Sequence, residues 1–306
     1  MSSLTYAYYP GCSGLGTSIE YDRSTRAVCK ALRVDLRDMP DWSCCGSSPA
    51  HTVDHIFSAA LSARNLGVVQ AMGLNEAVTP CPSCLTNLRT AEHRMKKAEF
   101  SERVNKLLDA PYAGGVETKS ALQILVEDVG LEAIAAATVK PLTGLKVAAY
   151  YGCIMNRPPE LMRFDDHENP MAMDRIMTAM GAEVVPFPLK VECCGASYGV
   201  ARKDVVAKLS GRLLSAAVAI GADVIVTACP LCQMNLDLRQ DQALKAIGAS
   251  FSIPVLYFTQ LMGKALDLPE VELGFDKICV SPKQAFAAMG KAKEEDKLKS
   301  SQGSRT

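Results

Sequence analysis

Ten of the twelve cysteines follow one arrangement written twice. The first copy holds Cys12, the adjacent Cys44 and Cys45, and Cys81 with Cys84; the second holds Cys153, the adjacent Cys193 and Cys194, and Cys229 with Cys232. The gaps are 31, 35 and 2 residues in one copy and 39, 34 and 2 in the other. Four thiolates complete a structural zinc site, usually as two short pairs. Here each copy offers five, and two of them are neighbours whose side chains diverge. Such a pair suits two different irons of a polynuclear centre better than one ion. The set therefore favours iron–sulfur chemistry, with zinc as the alternative. "CPSC" or "CPLC" alone would serve equally as a thioredoxin-like redox signal, and it is the repetition of the whole spacing that carries the reading. Cys29 and Cys279 fall outside the pattern and are expected to be buried bystanders.

The surroundings repeat as well. "YYPGC" (8–12) answers "YYGC" (150–153), and "VTPCPSCLTNL" (78–88) answers "VTACPLCQMNL" (226–236). Residues 4–9, 34–40 and 76–80 read as strands, with helices over 18–32 and 51–72 between them. The second copy runs strand 146–151, helix 170–181, strand 182–187, a helix near 201–220 and strand 223–228. Alternating strands and helices predict an α/β fold: two tandem pseudo-symmetric repeats, each a mainly parallel sheet flanked by helices. In both repeats the cysteines fall at or just after strand ends, the ligand-binding edge of open α/β sheets. Helices predicted to begin just after "CCGSSPA", "CPSC", "CCGASYG" and "CPLC" would turn positive dipole ends towards thiolate charge. Gly46 and Gly195 suit tight turns where backbone approaches the centre closely. The expected divisions are a first repeat over 1–100, a helical connector over 101–143, a second repeat over 144–290 closed by a strand–helix unit at 253–266, and a disordered tail over 291–306.

At 306 residues, with 48% apolar and 22% charged residues, the chain can bury a core without disulfide staples. Its 33 acidic residues balance 33 Lys and Arg, which argues against a dedicated nucleic-acid or anionic-membrane binder. The start lacks the basic and apolar run of a signal peptide, and the most apolar window, 213–229, is broken by Gly221 and Asp223. A reduced cytoplasmic setting is the expectation, and there cysteine clusters mean metal or catalysis.

Other motifs are weaker. "GCSGLG" (11–16) lacks the G-x-G-x-x-G order of a dinucleotide loop and reads as a ligand loop around Cys12. His51 and His55 have metal-pair spacing but no H-E-x-x-H glutamate, so a helix-start pair is the simpler reading. His51 beside the first set, and Tyr198 in the comparable loop of the second, are the candidate catalytic proton donors. His93 and His167 read as surface residues, and Asp165–Asp166 as a solvated loop.

The doubled C-x₃₁₋₃₉-C-C-x₃₄₋₃₅-C-x-x-C pattern, with its flanking "PGCS", "CCGSSPAH", "CCGAS" and "ACPLCQMNLDLRQ", resembles the cysteine-rich CCG domain of the B-type heterodisulfide reductase subunits over about residues 4–280. The resemblance implies that each five-cysteine set holds a non-cubane 4Fe–4S cluster: Cys12, Cys44, Cys45, Cys81 and Cys84 for one, Cys153, Cys193, Cys194, Cys229 and Cys232 for the other. The 34-residue gap of the second set is slightly shorter than is usual in the family. It further implies a catalytic subunit that cleaves a disulfide, or oxidises thiols or a sulfur carrier in reverse, with electrons exchanged through a small iron–sulfur subunit and a flavin subunit. Other CCG proteins relay electrons in fumarate, lactate or glycolate oxidoreductases, which is the alternative. A zinc-bound scaffold is a third reading.

Overall fold

The computed structural model describes residues 4–289, so the tail over 291–306 lies outside the described residues. Two four-stranded sheets carry the architecture. In the first the order is β2 (Val34–Asp38), β1 (Leu4–Tyr8), β3 (Glu76–Thr79), β4 (Glu117–Ser120); in the second it is β6 (Glu183–Val184), β5 (Lys146–Tyr150), β7 (Val224–Thr227), β8 (Val255–Tyr257). Every pairing among them is parallel. The central strands are buried on both faces, which is why "VAAY" and "VIVT" read as continuous apolar runs.

The structure departs from the sequence expectation in four places. Within the segment read as a helical connector, Glu117–Ser120 is the fourth strand of the first sheet, pairing in register from Glu76↔Glu117 to Thr79↔Ser120. It is the counterpart of β8, and Ser120 caps the helix that follows it by accepting from Gln123 N. The helix expected over 51–72 is two, Ser47–Val53 and His55–Ala71. Asp54 is extended between them (φ −155°, ψ 130°) and its carboxylate accepts from Phe57 N, so an N-cap interrupts the apolar periodicity. The strand expected over 182–187 shrinks to Glu183–Val184, where Pro186 and Pro188 remove ladder donors. Cys29 is buried as expected, but Cys279 is exposed.

The two halves share one core. Tyr21, Val28 and Val78 of the first repeat cluster with Met173, Val226 and Phe258 of the second, while a smaller core lies on the outer face of each sheet. At one seam the Ile19–Ala31 helix packs on the Phe258–Ala265 helix. There Tyr21 stacks on Tyr257 (centroids 4.1 Å, planes at 3°) and the Ser24 and Thr259 hydroxyls share a 2.7 Å hydrogen bond. At the other seam the Ala172–Ala179 helix packs on Leu131–Ala137, without a ring pair among the described residues. Arg89 closes this second seam: Nε donates to Thr118 O (2.7 Å), Nη2 to Gln123 Oε1 (2.8 Å), and Nη1 to the carbonyls of Leu161 and Met162.

Candidate metal centres

Because all strands are parallel, the six cysteine-bearing loops leave the same kind of edge. Cys12 follows β1, Cys44–Cys45 follow β2 and Cys81 follows β3; Cys153, Cys193–Cys194 and Cys229 follow β5, β6 and β7. All ten thiols are free. In each half the sulfurs converge pairwise, Cys45 Sγ lying 3.5 Å from Cys84 Sγ and Cys194 Sγ 3.6 Å from Cys232 Sγ. No three His, Cys, Asp or Glu side chains among the described residues are grouped as a single ion would need.

The helices that face these sulfurs start earlier than the sequence suggested. The Pro82–Met95 and Pro230–Leu236 helices begin inside the C-x-x-C motifs, with Cys81 and Cys229 as extended N-cap residues and the prolines at N1. Cys84 and Cys232 therefore sit in the first turn, where the free N–H groups favour negative charge. Gly46 and Gly195, at φ +87° and +85°, turn the chain out of each CCG. In the second loop Gly195 N donates to Cys193 Sγ at 3.3 Å.

Two further glycines matter more than the sequence suggested. Gly11 (φ +67°) and Gly152 (φ +74°) would each place a Cβ 3.0 Å from a sulfur, Cys84 Sγ and Cys232 Sγ respectively. Both positions thus require left-handed backbone and leave no room for a side chain against the thiol. Gly11→Val is expected to cost about 1–2 kcal/mol in backbone conformation alone and to displace Cys84. Metal analysis of the purified variant should show loss confined to the first set.

Hydrogen bonds hold the loops in the same way in both halves. Asn87 Nδ2 reaches Cys45 Sγ at 3.5 Å, and Asn235 Nδ2 reaches Cys194 Sγ at 3.4 Å. Tyr9 OH donates to Ser43 O (2.8 Å) and Tyr150 OH to Glu192 O (2.7 Å), pinning the residue before each cysteine pair. Ser62 and Ser210 donate to Cys45 O and Cys194 O, each at 3.4 Å. Sequence reasoning missed these residues, although Asn87 and Asn235 each stand three places after the last cysteine of their set.

The thiols do not share one ionisation. The contact with Cys84, together with the Asn87 amide, lowers Cys45 to about 6 against the opposing effect of burial. Cys84 is driven well above the usual thiol value by Cys45 and Cys81, and Cys81 is lowered by the same contact. The second set repeats the polarity: Cys193, beside Cys153, falls to about 6, Cys194, beside Cys232, to about 7, and Cys232 rises. Within each contacting pair one thiol is thus drawn towards the thiolate while its partner keeps the proton. Cys12 and Cys153 are also raised, chiefly by burial and by Cys193 respectively. In metal-free protein the Cys45 thiolate should appear as pH rises through about 6. Its folded value lies below the unfolded one, so the stability it contributes is complete above the unfolded thiol value, near 8.5, and is lost as pH falls through about 6. Asn87→Leu should move that midpoint upward, read from thiolate absorbance or alkylation rate against pH.

Of the two candidate proton donors, His51 is exposed and its Nδ1 contacts Ser47 O at 3.2 Å. Tyr198 is 53% exposed in a 3-10 turn three residues past Gly195. The helix break at Asp54 places His51 and His55 on different helices, so their spacing is not that of one helical face. His93 and His167 are exposed. Asp165 and Asp166 accept backbone N–H groups of their own loop, at Met171, Ala172, Glu168 and Asn169.

The cysteine-rich CCG domain model matches twice, over residues 6–89 and 147–237. The chain belongs to the CCG family of B-type heterodisulfide reductase subunits. It is 35% identical over 274 residues (89% of this chain, 95% of the relative) to the 8-methylmenaquinol:fumarate reductase membrane anchor subunit of Wolinella succinogenes. It is 31% identical over 269 residues (85% of this chain, 88% of the relative) to the B-type subunit of the ferredoxin:CoB-CoM heterodisulfide reductase of Methanosarcina mazei. A solved hypothetical protein from Helicobacter pylori shares the fold at a TM-score of 0.72 and 14% identity; it covers 90% of this chain, which spans 52% of that one. Membership makes this an iron–sulfur redox subunit of the CCG type, and the residues fit such a group: five free thiols per half on loops leaving one sheet edge, sulfur-facing amides, and glycines that clear the sulfurs. Although one relative is named a membrane anchor, no helix among the described residues is long and apolar enough to cross a membrane.

Proposed function

We propose that this chain is the catalytic iron–sulfur subunit of a heterodisulfide reductase-like complex, reducing a disulfide or, in reverse, oxidising thiols or a sulfur carrier. The observation that carries this reading is the completeness of both five-cysteine sets on matching sheet edges. Cys12, Cys44, Cys45, Cys81 and Cys84 would hold one non-cubane 4Fe–4S cluster, and Cys153, Cys193, Cys194, Cys229 and Cys232 the other. When bound, the clusters supply single electrons and iron sites with affinity for sulfur. Reductive cleavage takes two electrons and two protons and leaves two thiols. Cys45, Cys193 and Cys194, already acidic, would ligate as thiolates without releasing a costly proton. Asn87 and Asn235 would keep a donor on the ligand sulfurs, and His51 and Tyr198 would offer protons at the two exposed loops. Electrons would arrive through a small iron–sulfur subunit and a flavin subunit, in a cytoplasmic complex.

A second reading, an electron relay in a fumarate reductase-type oxidoreductase, is favoured by the similarity along 95% of the Wolinella protein. Anaerobically purified protein should contain about eight irons and eight sulfides, four of each per cluster; zinc without sulfide would sink both readings. Adding a thiol or disulfide substrate should perturb the paramagnetic signals if the site is catalytic. A relay would leave them unchanged.

A further inference from the structure

Beside the first cysteine set the His55–Ala71 and Pro82–Met95 helices enclose a cavity of ≈ 200 Å³, lined among others by His51, His55, Thr86, Asn87, Thr90 and Arg94. We propose that this cavity is a binding site for a small oxyanion, of the phosphate, sulfonate or carboxylate class. None of its lining residues is acidic. Arg94 makes no ion pair among the described residues, which leaves its guanidinium available. At about 30 Å³ per water, the space holds a tetrahedral anion with part of its hydration. An arginine fork with imidazole and hydroxyl donors around it is the chemistry that recognises such a group.

The duplication supplies an internal comparison. Counted from the last cysteine of each set, Asn87 corresponds to Asn235, Ala91 to Arg239 and Arg94 to Gln242. In the second half the equivalent space, lined by Lys203, Asn235, Arg239 and Gln242, has no room for a water. Arg239 occupies it, donating from Nη1 to Gly199 O at 3.2 Å. Where the first half keeps a small residue and a free arginine, the second fills the gap and satisfies its arginine internally. The open site also touches the cysteine chemistry through one residue: Asn87 lines the cavity and donates to Cys45 Sγ.

Binding does not depend on the cysteines holding clusters, so this proposal and the functional reading can fail separately. Titration calorimetry of the purified chain at fixed ionic strength, with sodium phosphate, methanesulfonate and acetate in turn, should give one site per chain. Arg94→Gln, which installs the residue found in the second half, should weaken it at least tenfold, and the double variant His51→Ala, His55→Ala should weaken it less. A thiol-bearing acid that binds more tightly than its thiol-free analogue would identify the anion as the acidic end of a substrate. Equal affinity would identify a free effector ion. Absence of binding by the wild-type chain, or an affinity unchanged by Arg94→Gln, overturns the site.

Discussion

Cys84→Ser is expected to remove the metal and sulfide of the first set entirely while the second set keeps its own. Cys84 is the hub of its site: it is 4% exposed, its Sγ contacts Cys45, and Gly11 stands in left-handed backbone to make room for it. A serine there withdraws a soft ligand and also the contact that lowers Cys45 and Cys81. The second site has its own sulfur contact, between Cys194 and Cys232, which the substitution leaves intact. Iron should fall from about eight to about four per chain, four being the content of one cluster, and Cys232→Ser should give the mirror result. Spectra that lose both signals together in either variant would contradict two separate sites.

Arg89→Leu should destabilise the fold by about 3 kcal/mol, because it strips the donor from three part-buried carbonyls, each at the lower end of the about 1–3 kcal/mol that an unsatisfied buried acceptor costs. The guanidinium joins β4 to the Leu161 and Met162 carbonyls of the other repeat. Burial lowers its pKa against the opposing pull of the Glu117 and Glu127 carboxylates. Arg89→Lys keeps the charge but loses the planar fork, so it should recover only part of the loss. Denaturant unfolding of both variants measures this, and a Leu variant as stable as wild type would remove Arg89 from any role at the seam.

Much of this architecture was legible in the chain. The cysteine spacing pointed to both candidate sites and to the strand ends that carry them, because residue identity and strand ends are local properties that a duplication writes twice. The central strands were legible because burial on both faces leaves unbroken apolar runs. β4 was not: "ETKS" is polar at an edge position, and only its inward Thr118 and Ser120 are buried. The break at Asp54 hid inside an apolar pattern that continues across it, although an aspartate three places before Phe57 is a cap signal. Arg89 left no trace, since its partners lie 29 to 73 residues away. Asn87 and Asn235 were visible in the repeated "CLTNL" and "CQMNL", but as echoes of ancestry rather than as sulfur donors.

The Tyr21–Tyr257 stack carries a consequence for symmetry. Burial pushes the Tyr21 phenol well above its ordinary value, and Cys229 and Cys81, one from each set, add to the effect. Tyr21 therefore lies within electrostatic reach of both centres, on a seam whose opposite number has no such ring pair among the described residues. The inherited plan is two-fold, but its furnishing is handed. Both rings are buried, so what differs is the packing behind the two cysteine sets: stacked rings back one seam and none among the described residues backs the other. Two copies of one plan thus need not yield equally under the same load.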